Sequence, residues 1–302
     1  MSLNSLSNLK GENKKKTKKM DNLTTNPQDA KAVFRKCGTC SQTFAHLMNR
    51  EYGHPKKAEE LALDPLAGGI MNQGHQCGML WGAALAVGAE AYRRHDGRDR
   101  AIAIAVTATQ HIIESFVHRT NTVNCKEIIG YDLRTVFGLV KFMLKTMAKG
   151  MNNSQCFNLA EAWAPEAIQA GKEGLSEEQI HLIQPPKSCA SEVVRRMGAT
   201  DEEMTMVAGF AGGLGLSGNA CGALSAAIWL KTLRWCREHP GKTPPMFNNP
   251  IAKKIVKAFQ EETDSEMLCH KITGKYFTNI NDHSEYINGQ GCAKLMDVLA
   301  EI

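Results

Sequence analysis

The sequence predicts an all-α fold, two tandem pseudo-repeated helical bundles within 302 residues. Three observations carry this. One glycine-rich segment occurs twice, apolar residues recur at helical spacing through most of the chain, and no run alternates with period two between hairpin signals. The repeated segment is Ala67-Gly68-Gly69-Ile70-Met71-Asn72-Gln73-Gly74-His75-Gln76-Cys77-Gly78-Met79-Leu80, and its second version begins 144 residues later at Ala211-Gly212-Gly213 and runs to Leu224. Eighteen positions compared from Ala67 share eight identities, where chance gives about one. The same offset pairs Cys125 to Gly130 with Cys269 to Gly274 without a gap.

With 43% hydrophobic residues the chain can bury one large core or two smaller ones. The duplication favours two repeats, residues 29–180 and 181–302, behind a basic disordered tail, residues 1–28. In that tail six lysines (Lys10, Lys14, Lys15, Lys16, Lys18, Lys19) against Glu12 hold a net +5, the whole excess charge of the protein. A solvated tail is the leading reading, with anionic membrane or nucleic-acid contact as the lesser one, so no nucleic-acid partner is expected. No apolar stretch follows the lysines as a secretory signal requires, so the expected location is the cytoplasm. Met204 to Leu230 lacks charge, yet its six glycines argue for helix, turn and helix over a membrane span.

In chain order, Asn26-Pro27-Gln28-Asp29 reads as the start of a helix carrying Val33, Phe34, Cys37, Cys40, Phe44 and Leu47 to Tyr52-Gly53. A short acidic helix follows near Ala58 to Leu63. Helices are then predicted from Cys77 to Arg94, Ala101 to His118, Val136 to Met147 and Cys156 to Ala170. Pro185-Pro186 marks the boundary. The second repeat has helices at Cys189 to Met197, from the Thr200–Glu203 capping box into Phe210, at Cys221 to Glu238, at Ile251 to Glu262 and at Cys292 to Ile302.

Ten cysteines exceed what core packing asks of a cytoplasmic chain, and a disulfide framework does not suit that compartment. The repeat sorts eight into two quartets: Cys40, Cys77, Cys125, Cys156 and Cys189, Cys221, Cys269, Cys292. The second and third members are 48 apart in both. Cys37 and Cys236 are left over, Cys236 as a core residue. Cys77, Cys156, Cys221 and Cys292 stand where loops become helices, which lowers a thiol's pKa through unpaired backbone N–H groups. The glycines before Cys77 and Cys221 would bring backbone amides up to the sulfurs.

This pattern resembles the C_GCAxxG_C_C family of redox-active proteins, named for a cysteine, a GCAxxG segment and two further cysteines. Gly212 to Ala223 matches its glycine turn running into Cys-Gly-Ala, although Ala220 to Ser225 and Gln76 to Trp81 keep the GCAxxG segment only at the cysteine. The resemblance covers Val33 to Ile302 in tandem. A similar domain occurs in split-Soret cytochrome c, where the resemblance implies a [2Fe-2S] cluster. Covalent haem does not carry over, because Cys37-Gly38-Thr39-Cys40 is followed by Ser41 instead of histidine.

The expected function is therefore electron transfer or redox sensing, with one iron-sulfur cluster per repeat held by each quartet. Zinc ranks lower because close ligand knuckles are missing apart from Cys37 and Cys40. The rival reading is a thiol/disulfide oxidoreductase or sulfur carrier working without metal through Cys37 and Cys40 and the helix-terminal thiols of the same quartets; reversible dithiol chemistry places it in a different class. Gly213 to Gly218 spells G-x-G-x-x-G but follows a helix, which argues against dinucleotide binding. His75, His111, His118, His270 and His283 read as surface or hydrogen-bonded core groups before ligands. A redox partner protein is expected, and association into a homo-oligomer is compatible with the residues.

Overall fold

The computed structural model describes residues 29–177, 180–245 and 249–302. The predicted lysine-rich tail lies outside them. Fifteen α-helices are present among the described residues. In the first repeat they are α1 (Ala30–Cys37), α2 (Cys40–Glu51), α3 (Lys57–Leu61), α4 (Gly78–Arg94), α5 (Arg98–Thr120), α6 (Cys125–Ile129), α7 (Val136–Lys149) and α8 (Gln155–Leu175). The second has α9 (Cys189–Arg196), α10 (Asp201–Met206), α11 (Gly222–Glu238), α12 (Pro250–Glu262), α13 (Cys269–Thr273), α14 (Ile280–Asn288) and α15 (Ala293–Glu301). Extended pairing among them is limited to two isolated bridges, Gln76 with Asn124 and Ala220 with Leu268.

Local chemistry explains most boundaries. The single helix expected from Asp29 to Tyr52 is in fact two. Gly38, at φ 89°, ends α1, and Thr39 in extended conformation caps α2 by accepting from the Gln42 amide. Thr200 and Glu203 form the predicted capping box, but α10 stops at Met206 and the turn Ala208–Phe210 is 3-10. The charge-free window thus folds as helix, glycine turn and helix. No helix of the described residues is long and apolar enough to cross a membrane.

The two repeats share one continuous core, where the duplication favoured two. The reason lies in α4, which buries fourteen of its seventeen residues; a helix apolar on every side must be enclosed on every side, and one repeat is too small to do so. The exchange is reciprocal. Helix α4 packs on α10 and the Ala208–Phe210 turn, while its counterpart α11 packs on α3 and the matching turn Asp64–Leu66, as a two-fold relation requires. Gly88 lets α4 approach the backbone of α10, since a Cβ there would lie 2.4 Å from the Met206 carbonyl oxygen. Trp81 meets Phe210 edge-on at 4.9 Å between ring centres, and Trp229 Nε1 donates to the Glu59 carbonyl.

Two candidate cysteine centres

All eight quartet cysteines stand at helix N-termini, three more than the five helix starts the sequence predicted. Cys40, Cys125, Cys189 and Cys269 are the first residues of α2, α6, α9 and α13. Cys77, Cys221 and Cys292 cap α4, α11 and α15, and Cys156 is second in α8. Each repeat thus aims four helix mouths, with their partial positive charge, at one group of sulfurs.

The glycine turns set this arrangement. Gly68, Gly69, Ile70, Met71 and Asn72 have φ of 67°, 77°, 62°, 52° and 62°, and Gly212 to Leu216 have 59°, 80°, 73°, 51° and 63°. A left-handed turn of five residues is disfavoured by about 1–2 kcal/mol per non-glycine residue, so other contacts must hold it. Backbone bonds do: the Gly74 amide donates to Gly68 and His75 to Gly69, and Gly218 donates to Gly212. Glycine is required at the second position, where a Cβ would sit 2.4 Å from backbone atoms of His75 or of Asn219. The strand leaving each turn is then clamped to the third cysteine's segment. Cys77 N–H donates to Val123 (2.8 Å), and Cys125 N–H to His75 (2.7 Å). In the other repeat Cys221 N–H donates to Met267 (2.9 Å), and Cys269 N–H to Asn219 (2.7 Å), at the same offset.

In the second repeat all four cysteines line one cavity of about 20 Å³, closed by Phe277, His283, Tyr286 and Ile287. In the first, Cys77 senses Cys40, Cys125 and Cys156 electrostatically, and its thiol donates to Cys40. The turns also supply the expected amides, from Gly68 to the Cys40 sulfur and from Gly212 to the Cys189 sulfur. Tyr286, whose hydroxyl lies 3.9 Å from Cys292 Sγ, was not singled out by the sequence. Among the described residues no three His, Cys, Asp or Glu side chains stand together as a ready group for a metal ion.

One electrostatic expectation is corrected. Helix mouths were to lower the thiol pKa values, yet burial pushes Cys156 and Cys221 up to about 12 and raises Cys125, Cys189, Cys269 and Cys292 as well. Desolvation of a thiolate outweighs partial charges at this depth. Cys77 is raised by its bond to Cys40 and by burial; Cys40 alone is lowered, by the Cys77 thiol and the amides around it.

The left-over cysteines lie apart from the quartets. Cys37 ends α1 and is pushed up to about 11, chiefly by burial and then by the Glu60 and Asp64 carboxylates. Its C-x-x-C therefore straddles a helix break, and the thiol partner of Cys40 is Cys77. Cys236 is buried in the core as expected. His283 is a buried core group, its Nδ1–H donating to the Lys187 carbonyl, and burial takes its pKa down to about 4. His270 Nδ1–H donates to the Gly218 carbonyl and its ring stacks on Tyr276.

The two centres are joined by one side chain. Gln76 precedes Cys77 and is 1% exposed; its Nε2 donates to the carbonyls of Gly213 and Ala220, both at 3.0 Å. Ala220 precedes Cys221. The route from one quartet to the other therefore runs through covalent bonds and a single hydrogen bond.

No curated protein and no solved structure matches the chain. A family model described as Putative redox-active protein (C_GCAxxG_C_C) matches residues 38–168 and again residues 187–302, so that each match holds one complete quartet and Cys37 falls outside both. Most of the chain is covered, and the protein belongs to the C_GCAxxG_C_C family, whose domain it carries twice in tandem.

Proposed function

We propose that this chain is an electron-transfer or redox-sensing protein in which each quartet of cysteines holds an iron-sulfur cluster. The observation that carries the reading is the delivery of all eight cysteines by helix N-termini, four to each centre. The donor set fits such a group. In the second repeat four soft sulfurs surround a mostly apolar space, and in each repeat an amide of the glycine turn points at one sulfur, Cys40 or Cys189. An iron-sulfur cluster accepts and releases single electrons. The protein's part is to hold the four sulfurs, exclude water and stabilise their negative charge. Without a bound cation the raised thiols stay protonated, so loading must release protons. The Gly68 and Gly212 amides and the Tyr286 hydroxyl are the groups that would tune potential. Gln76 is the residue that would couple the centres.

Anaerobic purification, followed by iron, sulfide and zinc analysis and a visible spectrum, tests this. Iron and sulfide in two equal shares, one lost on Cys221→Ala and the other on Cys77→Ala, is the expected result. Zinc without sulfide, or a colourless metal-free protein, would sink it. A second reading, metal-free thiol chemistry, is favoured by one observation: the Cys77 thiol donates to a Cys40 whose pKa is lowered. It predicts disulfide reduction that depends on Cys40 and Cys77 and survives Cys37→Ser.

A further inference from the structure

Ten large apolar side chains are exposed among the described residues, and six belong to α7: Val136, Phe137, Val140, Met143, Leu144 and Met147. At 100° per residue they form one stripe about 120° wide and roughly 17 Å long. Their exposure runs from 46% at Val140 to 81% at Val136. Helix α7 rests on the 3-10 turn Met151–Asn153 and on the loop carrying Tyr131, whose ring meets Phe142 at 6.3 Å. The stripe itself faces solvent. Its counterpart α14 begins 144 residues later and turns the corresponding face inward, burying Ile280, His283, Ser284 and Ile287.

Charge selects the occupant. Helix α7 contains no Asp or Glu, and Lys141 and Lys145 follow one edge of the stripe. The Lys141 ammonium lies 4.1 Å from the centre of the Phe137 ring and that of Lys145 lies 5.3 Å from the Tyr131 ring. Two copies of α7 packed together would set lysine against lysine. An anionic surface of lipid meets both features, since apolar side chains enter the acyl boundary while lysines stay with the headgroups. The first twenty residues add six lysines, the second signal that stable surface attachment calls for.

We infer that α7 docks this protein onto anionic membrane surfaces, with the stripe from Val136 to Met147 buried at the headgroup boundary. The test is co-sedimentation of the full chain with vesicles of phosphatidylcholine alone and of phosphatidylcholine mixed with phosphatidylglycerol. Binding is expected only to the mixed vesicles and is expected to weaken with salt. Phe137→Asp with Leu144→Asp should abolish it, while Lys141→Gln with Lys145→Gln should reduce it roughly 30-fold. Both pairs are exposed, so helix content and melting temperature should match the parent. Binding that survives Phe137→Asp with Leu144→Asp and vanishes on removal of the first twenty residues would assign attachment to the tail and overturn the inference. So would absence of binding to mixed vesicles, a dimer that the same pair dissociates, or a loss of stability in that pair, which would mean that α7 folds onto its own body.

Discussion

The two repeats agree where they hold cysteines and differ where they cover them. Glycine turn, backbone clamp and the helix mouths at the second and third cysteines recur at one offset, 144 residues, with the same clamping hydrogen bonds, while the first and fourth cysteines are spaced differently. The covering helices start at that same offset, yet α14 closes the second cavity with His283, Tyr286 and Ile287, whereas α7 presents its apolar face to solvent. The geometry that collects sulfurs tolerates little change, because it depends on left-handed backbone and on close contact. A covering helix needs only an apolar face, which leaves it free to serve elsewhere.

The largest expected effect tests the conserved part. Gly213→Val places a branched side chain at φ 80° and 2.4 Å from the Asn219 backbone, which should cost about 4 kcal/mol or prevent folding. Gly274→Ala, at φ 72° with open space around it, should cost only about 1 kcal/mol in the same urea titration.

Asp64 separates the repeats by charge, since its counterpart is Ala208. It is 2% exposed, and burial raises its pKa to about 7 against 3.8 unfolded, opposed by the Thr39 hydroxyl that donates to it at 2.7 Å. The folded protein therefore holds a proton that the unfolded chain releases. The resulting stability is fully present below pH 3.8 and is lost as pH rises to about 7, a change of up to about 4 kcal/mol. In Asp64→Ala that fall should flatten; the same slope in both proteins would contradict it.

Matched substitutions sharpen the contrast between covering helices. Ile287 is 5% exposed and its counterpart Met143 is 54% exposed. Ile287→Asp should destabilise by about 3 kcal/mol, and Met143→Asp by no more than about 0.5 kcal/mol. Equal effects would mean that α7 is buried in solution.

The smallest expected effect lies at the seam. Gln76→Leu removes the bonds to Gly213 and Ala220 and should cost about 1 kcal/mol. In iron-loaded protein it should also weaken magnetic interaction between the reduced centres while leaving their iron content unchanged. An unaltered spectrum would remove Gln76 from the coupling role.

Much of this was legible beforehand for a local reason. The offset, the pairing of Cys77 with Cys221 and of Cys125 with Cys269, and most helix ends follow from neighbours in the chain: glycines before Cys77 and Cys221, Thr200 three residues ahead of Glu203, and apolar residues at helical spacing. The Gly38-Thr39 break was obscured because apolar spacing continues across it from Cys37 through Phe44. The left-handed turn was hidden by Ile70 and Met71, side chains that avoid positive φ unless surrounding bonds impose it.

By itself the sequence determined that the protein is a helical tandem repeat with eight cysteines in two matched sets. Only the tertiary structure decided that the four cysteines of the second set line one cavity, that a helix break separates Cys37 from Cys40, that the pKa of every quartet thiol other than Cys40 is raised, and that α7 is left uncovered. The reason is that periodicity and capping are set within a few residues. Desolvation, sulfur proximity and the burial of a helix face depend on groups brought together from as far apart as Cys40 and Cys156, which no local pattern records.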